Sequence, residues 1–412
     1  MSLKDRNQNF WQLACISGTA HGLPSMVIGG LLAHQLGTTA AIISIFVGNF
    51  ILWVMGLGII SMAGRRDHAI ENIKGYLGKF TGVFAALIWV FAFLMWYSLQ
   101  IKSVSDAISV HYRTSNAWIV GACLGLIIAI IGSGGIRIIK RLCVWGFPLM
   151  VLYIFIAIWN SSNFPQFDDS WNLSIPGILT IVIMWLPGTV NMPTFFRHSR
   201  SRADSVLGLS LLTVFHIFFQ ASTILLNIDD PAMYLSAQTY VGTIFAFGFI
   251  FISYGLSNLL NIYYASAGWE TIMSFGKRPI EYFFVGFMGT ITYISFQVMP
   301  TIANSFFSIE FVELMLTNFI ASLGVVLLIA FLIRLIVRHR PNPHEKIWSS
   351  ISWGIGSAYS LIFQLQNPIT DPTQSLIRGV AVTSLSFLII LFLEESYWSL
   401  IHLKDRQKEI NQ

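Results

Sequence analysis

Gly22-Leu23-Pro24 and Leu186-Pro187-Gly188 each set a Leu-Pro step beside glycine in the middle of a long apolar run, a feature the other apolar runs lack. Proline removes a backbone donor and glycine relaxes the chain, so each run is expected to break there and leave N–H and C=O groups free to bind something. The two runs are the first and the sixth. An offset of five is odd, so the second half of a membrane chain built this way is inverted relative to the first.

The composition places these runs in a bilayer. Of 412 residues, 55% are hydrophobic and 10% are Asp, Glu, Lys or Arg, against about 25% charged in a soluble domain. That is too little charge to clothe a water-facing surface, which excludes a cytosolic enzyme, a disordered chain and a disulfide-built secreted scaffold. Twelve apolar stretches reach spanning length, in 10–35, 38–62, 83–107, 116–135, 142–160, 175–195, 205–227, 240–264, 282–299, 315–337, 349–365 and 377–400. The fold class expected is an all-α integral membrane protein. Residues 1–160 form the first five-helix repeat, 161–340 the inverted second repeat, and 341–412 two additional helices with a tail. Paired broken helices in inverted repeats are a binding-site arrangement of secondary transporters.

The net charge of +5 is a topology signal and not a nucleic-acid footprint. Lys and Arg fall in short clusters between runs, among them Lys4 and Arg6, Arg65 and Arg66, Arg137 with Lys140 and Arg141, Arg197 with Arg200 and Arg202, and Lys404 with Arg406 and Lys408. Threading twelve spans puts these on one side, opposite Asp168, Asp169, Asp229, Asp230 and Asp371. Both termini are then cytoplasmic, in a multi-pass protein of the cell (inner) membrane. The first run has spanning length and lacks a small-residue cleavage site, so it reads as a retained span. Cys15, Cys123 and Cys143 are odd in number and show no metal-ligand spacing. Trp159, Trp171, Trp348, Trp353 and Trp398 near span ends read as interface anchors.

Candidate binding residues come from four spans. Trp96 and Gln100 are four apart in span three and share a helical face, setting an indole beside a carboxamide. This pair suits a flat heterocycle with polar edges, such as a nucleobase. Trp185, next to the span-six Leu-Pro step, offers a second ring. Asn258 and Asn261 of span eight face one way, and amides in an apolar helix need partners. Spans one, six and eight hold no Asp, Glu, Lys or Arg at central depth, so the ligand is expected to be uncharged. His21 beside the span-one step reads either as a proton or substrate contact or as a histidine satisfied by backbone. Lys102 and Asp106 pair locally. No metalloprotease, phosphate-loop or nucleophile-elbow motif is present, so the chain does not read as an enzyme.

Several stretches carry a family resemblance. Trp96-Tyr97-Ser98-Leu99-Gln100 resembles the W-x-x-x-Q signature of the nucleobase:cation symporter family, the purine-cytosine permease, hydantoin and allantoin transporters of the amino acid-polyamine-organocation superfamily. Gly29-Gly30-Leu31-Leu32, Ile45-Phe46-Val47-Gly48-Asn49, Tyr76-Leu77-Gly78-Lys79-Phe80-Thr81-Gly82, Asn191-Met192-Pro193-Thr194-Phe195-Phe196-Arg197 and Asn261-Ile262-Tyr263-Tyr264-Ala265-Ser266 are similar to further family segments, in order, over residues 10–270. The resemblance implies a leucine-transporter-type 5+5 inverted repeat plus two C-terminal helices. It implies that Trp96 and Trp185 stack on the base, that Gln100 and Asn258 or Asn261 bond its edge, and that the broken span one around Gly22 lends backbone groups. It also implies a coupling ion, sodium or proton, with Gly18, His21, Ser253 and Ser257 as candidate ligands and no organic cofactor or structural metal. The chain departs from the family at Thr194, where an Asp is usual, at Gly22, and in lacking an acidic motif between Gly324 and Arg340.

The function expected is secondary active import of an uncharged nucleobase-like heterocycle by alternating access, the partners being that small molecule and the bilayer, the protein a monomer or weak homo-oligomer. The competing readings are an amino-acid permease of the same superfamily and a transport-inactive substrate sensor.

Overall fold

The computed structural model describes residues 8–62, 68–113, 116–161, 165, 167, 171–226, 240–273, 278–298, 309–337, 343–367 and 372–410. These form helices α1 (Phe10–Thr19), α2 (Gly22–Leu36), α3 (Thr38–Met62), α4 (Ala69–Leu77), α5 (Lys79–Tyr112), α6 (Ala117–Gly132), α7 (Gly135–Asn160), α8 (Ile175–Asn191), α9 (Pro193–Phe196), α10 (Arg202–Leu225), α11 (Tyr240–Ile272), α12 (Arg278–Val298), α13 (Ile309–Val337), α14 (Pro343–Gln366) and α15 (Pro372–Ile410). Among the described residues the one non-helical pairing is an isolated bridge between Gln8 and Ser199.

Twelve spans account for this order. Seven stand alone as apolar and long enough to cross a membrane: α3, α5, α7, the α8–α9 stretch, α10, α11 and α15. The pair α1 and α2 makes an eighth, bent by 63°. The remaining spans, α6, α12, α13 and α14, are shorter or more polar. The bundle wears its apolar side chains outside as well as inside. Phe50, Ile130 and Phe392 are all at least 60% exposed, as lipid-facing residues should be and as a water-facing surface would not allow.

The helix pairings carry the inverted repeat. When spans one to five exchange with six to ten, three pairs map onto themselves: α3 with α10, α5 with α11, and α6 with α12. Three more contacts come as matched couples. Contact of α1 with α7 has its counterpart in α8 with α13, α2 with α10 in α3 with α8, and α7 with α11 in α13 with α5. Helices α14 and α15 form a hairpin outside this symmetry, closed by Ser360 and Ser375, each hydroxyl donating to the other's carbonyl at 3.0 Å.

The two Leu-Pro steps behave differently. Span one does break, three residues before Pro24, at Ala20 and His21. The freed Leu23 N–H at the start of α2 donates to Ser253 Oγ of α11 at 3.0 Å. Span six does not break at Pro187, contrary to the sequence expectation: α8 runs through it to Asn191. Leu186 and Val190 on either side are buried against Gly324 of α13, and Thr189 Oγ1 donates to the Trp185 carbonyl at 3.1 Å. Packing of this kind holds a proline helix together where a full break would orphan more backbone in an apolar interior. The interruption comes at Met192, with Pro193 opening α9 and Thr194 Oγ1 donating to Asn191 Oδ1 at 2.8 Å.

Close helix approach fixes α2. A Cβ at Gly29 would run into the Gln220 carbonyl oxygen of α10, and Thr223 Oγ1 donates to the Met26 carbonyl at 2.7 Å. Trp159 and Trp171 are 80% and 72% exposed, as anchors should be, whereas Trp353 is buried and donates to the Phe319 carbonyl at 2.8 Å. Trp353 therefore ties α14 to α13 and is not an interface anchor. Lys102 and Asp106 pair at 2.9 Å. The basic residues Lys4, Arg6, Arg65 and Arg66 and the acidic residues Asp168, Asp169, Asp229, Asp230 and Asp371 lie outside the described residues.

Candidate functional site

A cavity of about 340 Å³ lies where the span-one bend meets α5, α8 and α11, a volume in the range of small-ligand sites. Trp96, Gln100, Trp185, Ser257, Asn261 and His21 all line it. No Asp, Glu, Lys or Arg does so among the described residues. Five of these six lie on spans three, six and eight, and the sixth, His21, sits at the bend of span one.

Both indoles are held by rings behind them. Trp96 packs edge-on against Phe93 at 4.8 Å between centroids, and Phe93 leans on Tyr264 at 4.9 Å. Trp185 meets His21 at 4.6 Å and His216 of α10 at 4.3 Å, both edge-on. Such contacts hold a ring at low entropic cost. The polar wall is a connected amide cluster. Gln100 Nε2 donates to Ser257 Oγ at 2.9 Å, Asn261 Nδ2 donates to Gln100 Oε1 at 3.2 Å, and to Asn258 Oδ1 at 3.1 Å. The spacing Gln100 on α5 against Ser257 and Asn261 on α11, four residues and one face apart, is what lets one carboxamide reach both. Asn261 thus faces the cavity, and Asn258 stands behind it, fully buried.

The other sequence candidates sit elsewhere. Gly22 is packed against Met150 and Ser253, and Gly18 against the Phe147 ring, so both serve close helix contact and neither lines the cavity. Ser253 accepts from Leu23 N–H and Ser257 from Gln100, so both hydroxyls of the candidate cation set already accept an N–H bond. Residues that the sequence reading passed over include His216, Asn191 and Tyr254. Of these His216 left a visible signal, a single imidazole in the middle of an apolar span. Among the described residues no group of three or more His, Cys, Asp or Glu is placed to hold a metal.

Solved structures share this fold. Mhp1, a nucleobase-cation-symport-1 family transporter in a closed conformation with bromovinylhydantoin bound, aligns over 95% of this chain and 94% of its own, with TM-score 0.60 and 14% identity. A Na+-coupled sialic acid symporter in a substrate-bound outward-open state aligns over 95% and 91%, with TM-score 0.69 and 12% identity. The Eremococcus coleocola manganese transporter aligns over 96% and 94%, with TM-score 0.57 and 10% identity. No family model matches the sequence, nor does any curated protein. The leucine-transporter-type fold expected from the sequence is therefore the fold observed, and the family its motifs resemble has a member of that fold in Mhp1. The three neighbours differ in cargo, so the fold alone does not choose a substrate.

Proposed function

We propose that this chain is a secondary active transporter of the cell membrane, both termini cytoplasmic, that imports an uncharged nucleobase-like heterocycle of the cytosine, uracil, purine, hydantoin or allantoin class. The observation that carries this reading is the make-up of the cavity wall: two braced indoles, an amide cluster and, among the described residues, no ionised side chain. A flat heterocycle is favoured by such a wall because its faces stack on indole and its N–H and C=O edges exchange bonds with carboxamides. A carboxylate or metal cargo would enter uncompensated. The coupling ion is sodium or a proton, and movement follows alternating access around the bend of span one. The test is uptake into proteoliposomes from a panel of cytosine, uracil, hypoxanthine, hydantoin and allantoin, with leucine and sialic acid as charged comparators. Accumulation of a charged comparator with none of the heterocycles would refute the assignment.

A further inference from the structure

The ligand cavity has a neighbour behind Trp185. His21 and His216 touch there with ring centroids 4.0 Å apart, and both meet the Trp185 indole. A second, smaller void of about 20 Å³ is bounded by these three rings together with Asn49, Thr189 and Thr213. His21 and Trp185 line both spaces, so they form the partition between them.

The two imidazoles are buried, yet Nδ1 of His21 and Nε2 of His216 have no hydrogen-bond partner among the described residues. A histidine kept for packing alone is normally satisfied. A polar file continues from the pair. Gln220 lies one helical turn beyond His216 on α10, and its Oε1 accepts from Asn49 Nδ2 at 2.6 Å. Asn49 Oδ1 and Gln220 Nε2 remain without partners. The other titratable side chains lining the two spaces are the phenols of Tyr254 and Tyr264 from α11, while the thiols of Cys143 on α7, which accepts from Thr19 Oγ1 at 3.4 Å, and of Cys15 on α1 are not part of either lining. From α3, α5 and α8 come only uncharged groups, and no Asp, Glu, Lys or Arg lines either space among the described residues.

This geometry suits a proton and not a metal ion. Two imidazoles ligating one ion with bonds near 2.0 Å would hold their ring centres about 5 Å apart, and among the described residues no third protein ligand joins them. Two positive rings at 4.0 Å with no counter-charge exclude each other, so the pair holds at most one proton.

Resting on the transporter reading above, we infer that His21 and His216 form a one-proton site that couples cargo to the proton gradient, with Trp185 as the shared wall through which each senses the other. The proton binds a free imidazole nitrogen from water on one side and leaves to water on the other. Because coupling is reciprocal, cargo at Trp185 changes the proton affinity of the pair by the same factor as the proton changes that of the cargo.

Two measurements separate this inference from the reading beneath it. The first needs no cargo: tryptophan fluorescence of the purified chain, titrated with acid downward from neutral pH, is expected to show one transition that is lost in both His21→Gln and His216→Gln. A wild-type curve identical to that of both variants would overturn the proton site. The second uses proteoliposomes loaded with a pH dye and the heterocycle panel. Cargo entry is expected to acidify the lumen with one proton per molecule, and His216→Gln to lose pH-driven accumulation by about tenfold or more. Accumulation driven by sodium alone, with His216→Gln unaffected, would overturn the coupling. If no cargo moves under either gradient the transporter reading falls, and the titration still decides the proton site. Each variant is checked for monodispersity, and the two single variants guard against one misfolding.

Discussion

Replacing Gln100 with alanine separates a ligand wall from a structural strut. The carboxamide makes two interhelical bonds, to Ser257 at 2.9 Å and from Asn261 at 3.2 Å. Such bonds contribute about 0.6 kcal/mol each on average within a membrane protein, so Gln100→Ala is expected to cost roughly 1 kcal/mol of stability. Asn261 keeps its bond to Asn258, which limits the damage further. The effect on a bound heterocycle is larger. Two hydrogen bonds to its polar edge are worth about 1 to 3 kcal/mol together, corresponding to a loss of roughly five- to 150-fold in affinity. The assay is quenching of tryptophan fluorescence by cytosine, uracil or hydantoin, read beside thermal unfolding of the same sample in detergent. Affinity within about twofold of wild type together with a lowered melting temperature would show that Gln100 only joins α5 to α11, and the argument for an amide-walled site would be wrong.

Trp96→Ala removes an aromatic wall that faces the cavity, so binding is expected to disappear while the melting temperature shifts little; retained uptake in proteoliposomes would count against a stacked ligand. Gly29→Ala drives a methyl into the Gln220 carbonyl of α10, and overpacking of this kind costs about 1 to 3 kcal/mol, read as a lower melting temperature. Ser253→Ala strips the acceptor from Leu23 N–H at the start of α2, a loss of about 1 to 3 kcal/mol that Ser253→Thr should partly restore in the same unfolding assay. Ser360→Ala with Ser375→Ala loosens the α14–α15 hairpin, outside the repeat, and is expected to lower stability by about 1 kcal/mol without changing heterocycle affinity.

The sequence carried the spans because hydrophobic length is a local property. It carried Trp96, Gln100, Trp185 and Asn261 because polar and indole groups stand out against an apolar background. It misled at Pro187, since whether a proline breaks a membrane helix depends on neighbours such as Gly324 that come from another span. Gly22 illustrates the same limit. A glycine at a break reads equally as an opening for ligand and as room for a neighbouring helix, and here Met150 and Ser253 fill the space. Trp353 lies near a predicted span end like the exposed tryptophans, and only the packing of α14 on α13 puts it inside. His216 was visible as a residue but not as half of a pair, because its partner comes from the bend of span one, on another helix.

Helices α5 and α11 are mates under the exchange of the two halves, and the amide cluster spans the seam between them. A rotation that trades inside for outside carries that seam onto itself. Under the proposed function, cargo arriving from either compartment meets the same carboxamides. The preference for one facing over the other has to be written in side chains away from the seam, where the two halves have diverged.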